Sequence, residues 1–175
     1  MKLSDVYNEA KVPKEPKAQK LSKETLDLIK PDDRVIMHGK KFFVLDRTVV
    51  KQEQTLKPRG LWYAFGDSWI RWVRSEMPEW EKAHVNTITI DQTNILKLDI
   101  GNIHSFQRMY RFHDNIAWRI DWDKVSKQYK GIEIPDYDRL YGLRYDTDFM
   151  WLYGWDVPSG CIWDTSAVIT LDKLV

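Results

Sequence analysis

The stretch Gly60–Trp72, GLWYAFGDSWIRW, constrains the chain more than any other. Its leading glycine supplies a turn, Leu61 to Ala64 form a compact apolar run suited to a buried strand, and Asp67 or Ser68 stands where a helix N-cap is needed. From Trp69 to about Lys82 the residues Trp69, Trp72, Val73 and Trp80 recur at helical spacing, which predicts a helix that uses its tryptophans as core. Aromatic surface beside short polar side chains is also what a pocket for a planar, partly polar ligand requires. Pocket and core filling are the two readings of this stretch.

The flanking sequence supplies the other elements. Val12 to Lys20 holds two prolines and alternating lysines without an apolar face, so residues 1–30 read as a basic arm or linker, followed by a short helix from Leu21 to Ile29 capped by Ser22. The arm offers a possible contact for a macromolecular partner. Residues 31–175 read as a single domain. Strands are expected at Arg34–His38 and Lys41–Leu45 around the Gly39-Lys40 turn, at Val85–Ile90, and at Ile95–Ile100 after an Asp91–Asn94 turn. Helices are expected over Ile103–Phe112 and over Trp122–Tyr129, the second capped by Asp121 and ended by Gly131. Ile132–Ile134 is a short strand closed by Pro135, and Asp136–Phe149 a long polar connection. Met150–Tyr153, Cys161–Trp163 and Val168–Leu171 complete the strands. The pattern is α+β, with helices inserted between strands.

Composition narrows the function classes. The formal net charge of +1 argues against non-specific attraction of the whole chain to nucleic acid or membrane, and no apolar run reaches membrane-spanning length. One cysteine, Cys161, excludes an internal disulfide framework and a Cys-rich zinc site, which suits a reducing, cytoplasmic setting. His38, His84, His104 and His113 are scattered without paired spacing, so no metal is expected. Rossmann, P-loop, zincin and hydrolase-elbow motifs are absent from the sequence. Arg108, Arg111 and Arg119, interleaved with Tyr110, Phe112 and Trp118, form the best nucleic-acid candidate, although the acids Asp114, Asp121 and Asp123 surround them.

Three separated features remain that strand ends could bring into one pocket: His38-Gly39, Gly60 to Ser68, and the turn from Trp155 to Trp163 that carries Asp156. The order His38-Gly39, then Gly60-Leu61-Trp62-Tyr63-Ala64 and Ser68, resembles the ADP-ribosyltransferase superfamily, particularly its poly(ADP-ribose) polymerase and diphtheria-toxin-like branch. The resemblance implies two small packed mixed or antiparallel sheets with inserted helices, and NAD as substrate in the cleft between them. It implies NAD contacts from His38, Gly39, Gly60, Trp62, Tyr63, Ser68 and Trp69, with His38 and Asp156 as the catalytic pair. Asp156 would occupy the place of the family's acid, normally a glutamate, and Glu133 is a second candidate. Lys40 follows Gly39 where the family carries a small hydroxyl residue, and Trp69, Trp72 or Tyr63 must replace the stacking tyrosine. Transfer of ADP-ribose to an acceptor is the expectation; the alternative is a non-catalytic module that keeps the fold and uses the aromatic cleft to bind a nucleotide or a protein.

Overall fold

Short β-branched and aromatic runs bounded by turn residues give the chain a sheet, and the tryptophan-rich segments between them give that sheet its cover. The computed structural model describes residues 20–41 and 43–174. In chain order its strands are β1 (Arg34–His38), β2 (Leu61–Phe65), β3 (His84–Ile90), β4 (Ile95–Lys97), β5 (Arg111–His113), β6 (Trp118–Ile120), β7 (Gly131–Ile134), β8 (Ser159–Ile162) and β9 (Val168–Lys173). Seven of them form one sheet in the order β4-β7-β8-β2-β1-β3-β9, while β5 and β6 make a separate two-stranded ribbon. Neighbours run antiparallel except β4 and β7, which are parallel.

The sheet has a weak line. β1 matches β3 over five residue pairs and β2 matches β8 over four, but β1 and β2 meet only at Arg34 opposite Phe65 and Val35 opposite Ala64. Beyond those two pairs the strands part. The sheet is therefore two well-paired halves joined at a narrow seam, where the resemblance had implied two separate sheets packed on each other.

Side chains alternate between the faces of a strand. On one face Ile132, Ile134 and Cys161 meet α3 (Ile103–Tyr110), α4 (Trp122–Ser126), α5 (Tyr137–Leu140) and the 3₁₀ segment Thr147–Gly154, around the fully buried Trp122, Trp151, Trp155 and Trp163. An indole of this size contributes on the order of 4–6 kcal/mol of gross transfer free energy when removed from water. That scale explains why the chain commits tryptophans to this layer. On the other face Ile36, Tyr63, Ile88 and Ile162 are covered by Ala167 and Val168, with Phe43 and Leu45 packed beside them. Glu81, buried beyond α2 (Ser68–Glu76), accepts from Arg74 and from the Leu21 backbone, which ties α2 to the segment entering α1 (Lys23–Asp27).

Several expected elements differ. Phe43 to Leu45 is irregular cover where the strand Lys41–Leu45 was expected; Phe42, within that expected strand, and residues 1–19 of the expected arm lie outside the described residues. The helix after Ser68 stops at Glu76, because Pro78 disfavours helical geometry at Met77. Its buried face is Ile70 and Val73, with Trp69 and Trp72 half-buried beside it, stacked at 4.8 Å and 10°. β4 ends at Lys97, because Asp99 and Asn102 hydrogen-bond the local backbone into a turn. Helix α3 ends at Tyr110, and the chain turns into the β5–β6 ribbon, while α4 ends at Ser126. Residues 137–154 are helical almost throughout, so neither the loop expected over Asp136–Phe149 nor the strand expected over Met150–Tyr153 forms. Trp151 and Leu152, adjacent in sequence, are both fully buried, which suits a 3₁₀ segment inside the core and not a two-faced strand. Among the described residues no helix is long and apolar enough to cross a membrane.

Candidate functional site

A pocket of about 200 Å³ opens on the helix-covered face of the sheet, where β1 and β2 part. β1 brings Val35 and Met37 to it, β2 brings Trp62 and Ala64, and the start of α2 brings Trp69. Trp155 and Asp156 close it from the segment that leads into β8, and Ser159 from the first position of that strand. Lys57 also lines it, with Nζ 4.8 Å from the Trp62 ring and donating to the Gly154 carbonyl at 3.4 Å, and its stem against Gly154. The space suits one aromatic ring and falls short of a whole dinucleotide.

Backbone logic explains the placement. Gly60 precedes β2, and a Cβ there would come within 2.3 Å of the Ile162 carbonyl oxygen, so glycine lets β2 seat against β8. The alternation Leu61, Trp62, Tyr63 then sends Trp62 to the pocket and Tyr63 to the far face. Trp62 donates through Nε1 to the Pro58 carbonyl at 3.3 Å and meets Trp155 edge-on at 5.1 Å. The opposite wall is held by Tyr137, whose hydroxyl donates to the Trp155 carbonyl at 2.5 Å. Burial, and then the nearby Asp156 carboxylate against the opposing Arg144, push that phenol up to about 12, so it stays a donor. Arg144 lies over the rings of Tyr153 at 4.3 Å and Tyr141 at 5.1 Å, donates through Nη1 to the Tyr137 hydroxyl at 3.3 Å, and approaches Asp156 at 3.8 Å.

The far face of the sheet carries a different polar group. Glu133 is fully buried; its Oε1 accepts from Arg34 Nε at 2.6 Å and from the Tyr63 hydroxyl at 2.8 Å. The Tyr63 ring lies directly over Gly160, where a Cβ would fall 2.5 Å from the phenol carbon and oxygen. Burial, followed by the Glu133 charge, raises the Tyr63 phenol well above its ordinary range. Arg34 resists a desolvation that disfavours its charge because Glu133 outweighs it, and its acidity is lowered further.

Of the residues singled out in the sequence, Trp62, Trp69 and Asp156 converge on the pocket, and Tyr63 borders it through its strand while its ring faces away. His38 does not join them. It stands on the Arg34–Ile36 side of β1, where Nε2 lies 2.5 Å from Asn86 Oδ1 and the ring packs against Phe43 at 4.9 Å. Gly39 is exposed, and an added Cβ would meet only the Lys82 stem at 3.7 Å, so nothing there requires glycine. The Ser68 hydroxyl turns to the Pro158 carbonyl at 3.4 Å, and Gly60 serves strand packing. Glu133, the second candidate acid, is engaged with Arg34 and Tyr63 away from the pocket. In the basic cluster, Arg111 pairs with Asp148 at 3.6 Å and lies over Trp118, Arg119 pairs with Asp114 at 2.7 Å, and Arg108 donates to Ser105. Those contacts brace the ribbon within itself and against the Thr147–Gly154 segment, and Arg108 stays on its own helix.

The support behind that wall, Tyr137 on the Trp155 carbonyl and Arg144 beside Asp156, was missed in the sequence, because residues 136–149 read as a polar connection. The spacing Tyr137, Tyr141, Arg144, Tyr145 is helical and was the available signal. Among the described residues no group of three or more His, Cys, Asp or Glu side chains is placed to hold a metal ion. No protein-family model, curated protein or solved structure matches the chain.

Proposed function

We propose that this chain is an ADP-ribosyltransferase-like domain that binds NAD with the nicotinamide ring in the seam pocket. The observation that carries the reading is the ring-sized space walled by Trp62, Trp69 and Trp155 with the Asp156 carboxylate in the same wall. Aromatic faces attract a cationic ring through their quadrupoles, and the pyridinium of NAD is such a ring. The remainder of the dinucleotide lies outside the pocket, where Lys57 supplies a cation for the pyrophosphate.

In the reaction the bond between ribose C1′ and the nicotinamide nitrogen breaks, its electron pair leaves with nicotinamide, and positive charge develops on the sugar. A nucleophile on the acceptor then adds to C1′ and releases its proton. Asp156 is the carboxylate available to stabilise that charge, and one preorganised polar group of this kind is worth about 3 kcal/mol in an enzyme. Nicotinamide release from NAD, followed by chromatography, is the test. Asp156→Ala should reduce turnover about 100-fold while NAD still binds; undiminished turnover removes Asp156 from the role.

A second reading, a binding module without catalysis, is favoured by two observations. Asp156 already faces Arg144 at 3.8 Å, and His38 stands on the opposite face of the sheet. NAD binding by calorimetry with no nicotinamide release selects this second reading.

A further inference from the structure

Four of the nine tryptophans are fully buried, yet Trp69, Trp72 and Trp80 form a row that is not. Trp69 and Trp72 stack on each other along α2, Trp72 meets Trp80 at 6.3 Å and 47°, and Trp80 stands 47% exposed on the 3₁₀ turn Pro78–Trp80. Trp69 walls the pocket, and Trp72 and Trp80 continue the row beyond it. Contiguous aromatic surface left in water forgoes burial that the rest of this chain obtains, and such a patch marks a place where something docks.

The path of the chain and the charge around the row say what docks there. The described chain begins at Lys20, and Leu21 is fixed between α2 and the turn: its amide donates to Glu81 Oε1 at 3.1 Å and its carbonyl accepts from Arg74 Nη2 at 2.8 Å. Glu81 follows Trp80 and Arg74 lies two positions after Trp72, so residues 1–19 join the domain beside the tryptophan row. Residues 11–20, KVPKEPKAQK, carry four lysines against one glutamate, with prolines at positions 13 and 16. Beside the row Glu76 and Glu79 are exposed, and among the described residues neither pairs with a cation, whereas Arg71 and Arg74 are already paired with Asp67 and Glu81.

We propose that residues 12–17 dock on the Trp72–Trp80 face of their own domain, with Pro13 and Pro16 against the indoles and Lys14 and Lys17 toward Glu76 and Glu79. Prolines three positions apart fall on one side of a polyproline helix, which turns every three residues, and proline-rich segments dock on aromatic grooves in that form. The same spacing puts the two lysines together on the next side. The reach is sufficient, since Pro16 and Lys20 stand up to about 14 Å apart in an extended chain. Attachment within one chain gives the segment an effective concentration in the millimolar range, so modest contacts suffice. The docking goes beyond the nicotinamide reading and holds or fails independently of it.

The experiment places a nitroxide at position 14 of the full chain and follows the indole N–H resonances, assigned through bonds. Lys14→Cys supplies the reactive thiol, because Cys161 is fully buried. The label should broaden Trp72 and Trp80 more than Trp118, which lies on the β5–β6 ribbon. Glu79→Lys, a reversal at an exposed position, should weaken the docking about threefold, and Pro13→Ala with Pro16→Ala should largely abolish the broadening. A mixture of spin-labelled chain with isotope-labelled chain lacking the nitroxide should show no broadening. Broadening across that mixture would assign the face to the arm of a second copy. Equal broadening at all three indoles, or broadening indifferent to Glu79 and to both prolines, would show an arm without a docking site. Either result overturns the proposal.

Discussion

Tyr63 shows at the scale of one residue how the sheet forces a choice between the two faces. Its backbone borders the pocket, yet its phenol is committed to Glu133, and Gly160 has no side chain so that the ring can lie there. Removing that hydroxyl leaves a buried carboxylate with one donor fewer, so Tyr63→Phe should cost about 1–3 kcal/mol of unfolding free energy in urea. The pH dependence follows from the sign of the shift. The phenol is raised above its unfolded value of about 10, so its contribution is fully present below pH 10 and is lost as pH rises further. Between pH 9 and 11 the stability of the unsubstituted chain should therefore fall more steeply than that of Tyr63→Phe, by up to about 1.4 kcal/mol per pH unit. Parallel curves would show that Tyr63 does not hold its proton against Glu133. None of this was legible in the sequence: Arg34 and Glu133 are 99 positions apart, and the run GIEI reads as an apolar strand with one stray acid. Local spacing cannot pair residues that only a sheet brings together.

Among elements, those specified by local chemistry were legible and those specified by packing were not. Ser22 caps α1 by accepting from the Thr25 amide, Asp121 caps α4 by accepting from Lys124, and β1 has the bounds its apolar run suggested. The β5–β6 ribbon was hidden because Phe112 sits in a helical pattern continued from α3, and a three-residue strand gives no period of its own. Its turn nevertheless carries a recognisable device. Asn115 has φ of 71°, the backbone amide of Asp114 donates to the Ala117 carbonyl at 3.3 Å, and Asp114 Oδ1 accepts from the Ala117 amide at 2.8 Å. Backbone donors from this loop, led by Ala117 and joined by Arg119, hold the Asp114 carboxyl well below its usual range. A positive φ at the first of two loop residues is the sign pattern of a type II′ turn, which favours glycine there. Asn115→Gly should leave the ribbon unchanged or stabilise it by a few tenths of a kcal/mol, whereas the β-branched Asn115→Val should destabilise it by about 1 kcal/mol or more. Urea denaturation with amide exchange of β5 and β6 reads both; equal behaviour of the two variants would contradict the turn geometry.

Across the whole molecule the seam matters most. Two halves of a sheet share only the Arg34–Phe65 and Val35–Ala64 pairs, and the pocket lies on the helix-covered face beside that junction. The sequence suggested a cleft from the aromatic stretch and from Asp156, and those residues do converge. It could not show that His38 turns the other way, because the face of a strand residue depends on register, and register is fixed by neighbours elsewhere in the chain. A ring bound in the seam touches both halves, so it should stabilise their junction in addition to the site itself. At a ligand concentration of 100 times Kd, binding to the folded state alone adds about 2.7 kcal/mol. For a chain of this length that corresponds to a rise in Tm of about 5–11 °C. The distribution of the effect separates seam binding from binding elsewhere. Amide exchange in Ile36, Met37 and Leu61 to Tyr63, at the seam, should slow more than exchange in β3, which is paired on both sides by β1 and β9 without ligand. A uniform slowing across all strands would mean that nicotinamide binds without bridging β1 and β2, and the seam would then be only a feature of the fold.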